Sequence, residues 1–516
     1  MIAELLQNGN DPFRDISSFQ EDRSFSFVTV KLLFKKIPVL FYLSMVLSLF
    51  LLYGNNSPLY DQDEAAYAGF AKTMLETGDY LTQSFPFSEP HRKPPLHFWL
   101  SAISFQIFGV SEFSLRLLPS LWILLICLLT YDTAKRIYND KTALFGFIIL
   151  ATSLYFPLNG KIALVDSLLT FCEILGFYSL FRLLPKQHTR TYPWVLLFWL
   201  SVALGTLTKG PPVLIFLGGI CFVFLFFQET RKIVFLLKPW FFLPVSLLPL
   251  FYWGYLVWQN TNGELIRWMI DWYILRRAAN PVFGQSGPPG TYLLLFFITL
   301  FPWSFYLPKA LKEIWNQAKN IYDHFRKKTA APEPTNILLL GGIFFGWVFY
   351  EFLMSKLPSY PLAAYPIFAI LMGKIVSDAE GKWKNAIFFL AIIQSFAVVF
   401  IALPMLSEKR KDTIIAADHW NRKLPLNTEL LAVQNPALPS LAFYSNHPIR
   451  EIELFRLQNM EKKTILLLDS ESLLLVRTLG IRGKSLGPEF PIWAYDRNKV
   501  IKLSLYDTVP VKPNLE

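Results

Sequence analysis

The chain alternates between long apolar runs and short polar turns. Runs such as Ile37–Gly54, Trp194–Leu207 and Ala386–Leu403 are almost free of charge. Crossing a bilayer core takes about 20 such residues, and a soluble helix of that length would show a polar face at a 3.6-residue period. Most of these runs show no such face. The pattern predicts about eleven membrane crossings, at 37–54, 115–134, 141–158, 166–184, 193–208, 211–227, 239–258, 291–308, 337–354, 360–376 and 385–405. One further stretch, Pro94–Phe108, is short and opens on Pro94-Pro95. It is expected to lie in the interface or to re-enter, and not to span.

Charge sets the orientation. With the N-terminus inside, the inner loops contain Lys135, Arg136 and Lys141; Arg182, Lys186 and Arg190; Arg231, Lys232 and Lys238; the run Lys309 to Lys328; and Lys374, Lys382 and Lys384. Basic inner loops are what the positive-inside rule expects. Counting Pro94–Phe108 as a crossing would put them outside. The orientation adopted gathers the loops 55–114, 159–165, 259–290 and 355–359 on the outer side, together with the C-terminal tail.

From about Ser407 the tail turns polar, with apolar runs at Leu430–Val433, Thr464–Leu468 and Leu473–Val476 and a strand-like pair at Ile492–Tyr495 and Val500–Leu505. It reads as a small soluble α/β domain. The expected organisation is a cytoplasmic segment 1–36, an all-α polytopic domain 37–405 and an outer soluble domain 406–516.

Composition narrows the function classes. The residues are 53% hydrophobic and 17% charged, against about a quarter charged in soluble domains. A net charge of +11 would suit nucleic acid, but the cations sit in turns between spans and form no aromatic-interleaved stripe. Nucleic acid is therefore not an expected partner. Cys127, Cys172 and Cys221 all fall in apolar spans, as small core residues and not as a disulfide framework. The N-terminus is too long and polar for a signal peptide's n-region, so the first span is expected to be an uncleaved anchor.

Ionisable groups beside lipid are costly, and the outer side collects several. Asp61-Gln62-Asp63-Glu64 opens a helix running to about Thr77. Asp61 or Asp63 would serve as a helix cap, but capping leaves three carboxylates within four residues unexplained. Such a cluster can hold a divalent cation or supply a carboxylate base. Asp166 opens another span, where a helix-terminal charge is the competing explanation. Lys209 and Lys356 sit in tight outer turns, where the positive-inside rule gives no reason for lysine. Snorkelling to headgroups is one explanation and a phosphate site the other. Arg92-Lys93 and, in the 259–290 loop, Arg267, Arg276 and Arg277 extend the second reading. Carboxylates to activate an acceptor hydroxyl, with cations for a departing phosphate, suit an enzyme acting on a lipid-linked phosphate.

These residues fall into ordered motifs: Asp63-Glu64-Ala65-x-Tyr67-Ala68, Thr77-Gly78-Asp79-Tyr80, Lys93-Pro94-Pro95-Leu96-x-x-Trp99-Leu100, Glu112-Phe113-x-x-Arg116-Leu117-x-Pro119-Ser120, Asp166-x-Leu168-Leu169-Thr170, Leu207-Thr208-Lys209-Gly210-Pro211, Pro302-Trp303 and Ser355-Lys356-Leu357-Pro358-x-Tyr360. The set resembles the bacterial membrane glycosyltransferases of the GT-C fold, the group of the lipid A aminoarabinose transferases and dolichyl-phosphate-mannose-protein mannosyltransferases. The resemblance implies about 11 to 13 transmembrane helices with a small outer α/β domain. It implies an inverting, metal-assisted transfer of a hexose or pentose from a polyprenyl-phosphate carrier to lipid A, another glycan or a protein, on the outer face of the bacterial inner membrane.

By motif position, Asp63 would be the base or acceptor-orienting carboxylate and Asp166 the second acid of the site. Lys93 would bind the carrier phosphate, and Lys356 and Tyr360 would line the carrier pocket. Tyr67 and Lys209 fall in family motifs and are expected at the substrate. Glu64 and Asp63 would hold a divalent metal, the candidate cofactor. The chain departs from the aminoarabinose transferases at Ala66, where they carry Arg, and at Arg92, where they often carry Glu. Arg92 is expected to restore the cation missing at Ala66. The competing function is a flippase or transporter of a lipid-linked sugar. That would place charges near mid-membrane on broken, repeated helices, and no repeat is visible here.

Overall fold

The computed structural model describes residues 39–88, 93–185, 191–271, 286–408, 410–433, 438–459, 463–494 and 497–509. Arg92, Arg276 and Arg277 lie outside them. The chain divides into two compact units, one up to Leu47 and one from Ser48 onward.

Helices occur in every predicted crossing. Those at Glu112–Ile137, Pro239–Thr261 and Lys382–Glu408 are long and apolar enough to span a bilayer, and Val39–Leu52, Leu96–Phe108 and Pro211–Phe224 are shorter apolar helices. Pro239–Thr261 carries Phe241, Leu248, Phe251 and Tyr255 exposed on its surface, an apolar face that suits lipid. Two predicted spans are broken. The 141–158 stretch is a helix Asp140–Thr152 followed by a 3-10 turn Phe156–Gly160. The 291–308 stretch is a short helix Thr291–Thr299, a 3-10 turn Trp303–Tyr306 and the start of a polar helix Leu307–Lys327. Pro302 falls between the first two pieces, where a missing N–H interrupts helix propagation. The Leu96–Phe108 helix has 13 residues, about 20 Å at 1.5 Å per residue, short of the roughly 30 Å hydrocarbon core.

Helix contact inside the bundle is close where glycine permits it. A Cβ on Gly373 would stand 2.8 Å from the Thr142 carbonyl and from the Gly146 nitrogen. The Ala364–Asp378 helix therefore lies almost backbone to backbone on Asp140–Thr152, the small-residue packing usual in membranes.

The tail is a six-stranded sheet: β1 Leu430–Val433, β2 Ile449–Ile452, β3 Ile465–Asp469, β4 Gly483–Ser485, β5 Phe490–Ala494 and β6 Lys499–Thr508. Its order is β2-β1-β3-β6-β4, with β5 also on β6. β1 runs parallel to β2 and β3, and β6 is antiparallel to its neighbours. Strand alternation sends Leu430 and Ala432 to a core with Trp420 and Leu441, and Leu431 and Val433 to one with Leu466 and Val476. Both faces are covered, as a partly parallel sheet requires. The expected α/β character holds, although the apolar run 473–476 is helical, within Ser470–Thr478.

Candidate active site

Asp166 anchors the cluster. It lies in the first turn of the Val165–Leu183 helix, while Lys209 is the last residue of Tyr192–Lys209. An acid at a helix N-terminus and a cation at a C-terminus each complement the backbone dipole. Lys209 Nζ reaches Asp166 Oδ1 at 2.5 Å, with both side chains largely buried. Gly210, at φ 78°, ends the helix, and Pro211 starts the next, so the turn is tight enough to hold Lys209 in place. Asp166 also hydrogen-bonds the Ser359 side chain and lies within electrostatic reach of Lys93. The ammonium of Lys209 stands 5.6 Å from the centre of the Tyr360 ring. Four expected site residues thus converge: Lys93, Asp166, Lys209 and Tyr360.

Lys356 belongs to the adjoining turn. Its ammonium donates to the carbonyls of Tyr350 at 2.8 Å and Glu351 at 2.7 Å, and lies 5.1 Å over the Tyr292 ring. Snorkelling to headgroups is thereby ruled out, since the side chain points into protein. The Tyr350 and Tyr360 rings are 5.7 Å apart and join the two lysine turns. Glu351 accepts from the N–H groups of Gly290 and Leu293 and from the Trp347 indole, which fastens the end of the outer loop to this corner.

Asp63 is the first residue of the Asp63–Thr77 helix, whose N-cap is Gln62 with no side-chain cap bond. Neither aspartate caps that helix. Asp61 instead accepts from Ser440 of the C-terminal domain. Glu64, expected as a metal ligand beside Asp63, is engaged otherwise. Its Oε1 accepts from Arg116 Nε at 2.8 Å and from the Ala163 N–H at 2.9 Å; its Oε2 accepts from Arg116 Nη2 at 2.6 Å and from the Tyr60 N–H at 2.9 Å. Four donors occupy both oxygens and leave no lone pair directed at a cation. Burial opposes ionisation of Glu64, but Arg116 and the two backbone N–H groups override it and hold the carboxyl below its usual range. Among the described residues, no group of three or more His, Cys, Asp or Glu side chains is placed to hold a metal. Glu64 is therefore not placed as the expected metal ligand.

Sequence reasoning passed over several residues here. Arg116 was visible in a motif, but its partner was not. Its guanidinium also donates to the carbonyls of Asn55, Ser57 and Pro58, so it fastens the segment leading to Asp63. The Ser120 hydroxyl of the same motif lies within hydrogen-bond distance of the carbonyls of Leu51, Arg116 and Gly160. His97 is buried, with its ring 5.8 Å from that of Tyr67. It hydrogen-bonds the Ala163 backbone and feels both Asp166 and Glu64. Tyr67 packs into this aromatic group with Phe98 at 5.1 Å. One residue, Ala163, thus bridges the Glu64 and His97 side chains beside Asp166.

The family profile for dolichyl-phosphate-mannose-protein mannosyltransferases matches residues 92–258. An uncharacterized protein of Aquifex aeolicus is 28% identical over 363 residues, covering 67% of this chain and 64% of its own. The chain thus spans just under two thirds of that relative's length. The undecaprenyl phosphate-alpha-4-amino-4-deoxy-L-arabinose arabinosyl transferase of Enterobacter sp. is 25% identical over 467 residues, covering 80% of this chain and 78% of that one. Among solved structures, ArnT from Cupriavidus metallidurans bound to undecaprenyl phosphate has the same fold, with TM-score 0.75 at 16% identity over 93% of this chain and 98% of that one. The oligosaccharyltransferase AglB of Archaeoglobus fulgidus, in complex with an inhibitory peptide and a dolichol-phosphate, follows with TM-score 0.53 at 14% identity over 82% of this chain and 65% of that one. In sequence and in fold, the chain is similar to the GT-C membrane glycosyltransferases of the aminoarabinose-transferase and protein-mannosyltransferase type.

Proposed function

We propose that the protein moves a sugar from a polyprenyl-phosphate donor, of the undecaprenyl-phosphate kind, to a lipid, glycan or protein acceptor on the outer face of the bacterial inner membrane. The observation that carries this reading is the meeting of Lys93, Asp166, Lys209 and Tyr360, a cationic and aromatic corner suited to a carrier phosphate. The undecaprenyl phosphate bound by ArnT and the dolichol-phosphate bound by AglB support a donor of this class.

In the proposed step the Asp63 carboxylate takes the proton of the acceptor hydroxyl. The freed oxygen pair bonds the anomeric carbon from the face opposite the phosphate. The bond from that carbon to the phosphate oxygen breaks, configuration inverts, and polyprenyl phosphate leaves with the electron pair. Lys93 stabilises the charge developing on the leaving oxygens. Asp166 and Lys209 hold one another and keep Lys93 and Ser359 in place. Lys356, held by two carbonyls, shapes the turn that presents Tyr360. Arg92 would add a second cation next to Lys93. Glu64 acts on the chain, through Arg116.

The N-terminus and basic loops are assigned to the cytoplasm and the C-terminal domain to the periplasm by the distribution of Lys and Arg. The competing flippase reading finds no support in the relatives that carry a functional name, which are transferases. The test is Asp63→Asn in membranes supplied with polyprenyl-phosphate sugar. Retained transfer would sink the base assignment, and loss with donor still bound would support it. Mass analysis of surface lipids and glycoproteins with and without the protein identifies the acceptor.

A further inference from the structure

The segment that leads into Asp63 is gripped from two sides. On the membrane-domain side, Arg116 holds the Ser57 and Pro58 carbonyls while pairing with Glu64. On the other side stand residues from about 350 positions later in the chain. Ser440 donates its backbone N–H to Asp61 Oδ1 at 2.7 Å and its hydroxyl to Oδ2 at 2.6 Å. Pro439 has no N–H, so Ser440 supplies the first backbone donor of the Pro439–Tyr444 helix, and Asp61 satisfies it. The Leu59 N–H donates to the Tyr444 hydroxyl at 2.9 Å, and that hydroxyl donates to Glu112 at 2.8 Å. Arg410 donates to the Pro58 carbonyl at 2.5 Å and lies 3.5 Å over the Tyr60 ring. Positions 58 to 61 thus each touch the tail, and Asp63 follows two residues later.

We propose that the C-terminal α/β domain is the positioning element of the transfer site, with Ser440, Tyr444 and Arg410 fixing the 58–61 segment so that Asp63 meets the acceptor hydroxyl. This rests on the reading of Asp63 as the base. A carboxylate at the first residue of a helix takes its direction from the chain entering that helix. An ångström of misplacement at a base costs up to about a hundredfold in rate. The Ser440, Tyr444 and Arg410 contacts act on the segment of the base, and Lys93 with Asp166 lies on other segments, so these contacts tune turnover and leave donor binding alone.

The experiment measures kcat and donor KM for full-length protein in detergent or nanodiscs, with polyprenyl-phosphate sugar as donor. Ser440→Ala keeps the backbone donor and removes the hydroxyl. It is expected to lower kcat about tenfold with donor KM within about twofold. Ser440→Thr restores the hydroxyl and most of the rate. Lys72→Met removes a different contact with the same domain, the bond to the Phe443 carbonyl, and leaves kcat within about twofold. If Ser440→Ala fails to fold, Tyr444→Phe carries the same expectation. An unchanged kcat, a loss that Thr does not rescue, an equal loss in Lys72→Met, or a change confined to KM overturns the inference. Asp63→Asn in the same assay separates the two readings. If it is inactive while Ser440→Ala turns over normally, only this inference falls; if it stays active, the base assignment falls too.

Discussion

Asp166 and Lys209 stand 2.5 Å apart across the ends of two neighbouring helices, 43 positions apart in sequence. Each charge sits where its own helix dipole favours it, but both are largely removed from water and depend on each other. Removing one partner leaves the other stranded. Lys209→Met is expected to cost about 3 kcal/mol in unfolding free energy. The double variant Asp166→Asn with Lys209→Met should lose clearly less than the two singles added. Denaturant titration in detergent measures this, and strict additivity would show that the pair is not coupled.

Lys93 tests the phosphate assignment. A charge-assisted contact to an anion contributes about 1.5–3 kcal/mol. Lys93→Met should therefore raise donor KM about ten- to a hundredfold, and Lys93→Arg should recover part of it. Tyr360→Phe keeps the ring near Lys209 and should change KM little. A Lys93→Met variant with wild-type donor affinity would contradict the assignment.

Glu64→Gln separates a structural from a metal-binding role. It leaves the buried Arg116 without its counter-charge, at a cost of about 3 kcal/mol. The remaining folded protein should respond to a chelator as the wild type does. A loss of metal dependence specific to Glu64→Gln, with stability unchanged, would restore Glu64 as a ligand.

His97 lies in the helix read as non-spanning, and burial pushes its pKa down to about 4, against the pull of the Ala163 backbone, Asp166 and Glu64. In the unfolded chain the value is near 6.5. Between those values the unfolded chain binds more protons, so stability falls as pH drops through this window. Stability should be about 2 kcal/mol lower at pH 5 than at pH 7 on account of this residue. His97→Phe should flatten that part of the profile, and an unchanged slope would refute it.

Much of this was legible in the chain. Apolar runs located the helices, because lipid-facing and buried surfaces both demand apolar side chains. Loop charge singled out Asp166 and Lys209, which the fold brings together. What stayed hidden was pairing. Asp61, Asp63 and Glu64 look alike in sequence, yet Glu64 faces Arg116, Asp61 faces Ser440, and Asp63 opens a helix. The partners lie 52 and 379 positions away, beyond the reach of any local pattern. The broken spans at 141–158 and 291–308 escaped for a related reason. Hydropathy sums over a window, and a 3-10 turn rich in Phe, Trp and Tyr is as apolar as a continuous helix.

Glu351 is a single carboxylate clasped by Gly290, Leu293 and Trp347, and its own carbonyl holds Lys356. Two loops more than 60 residues apart therefore share one pin. Their inheritance is linked: a lineage that reshapes residues 286–290 must also rework the 351–356 turn. Insertions on one side without the other would unseat Lys356. Diversification of such a protein should proceed in paired steps, both loops changing together around an unaltered Glu351.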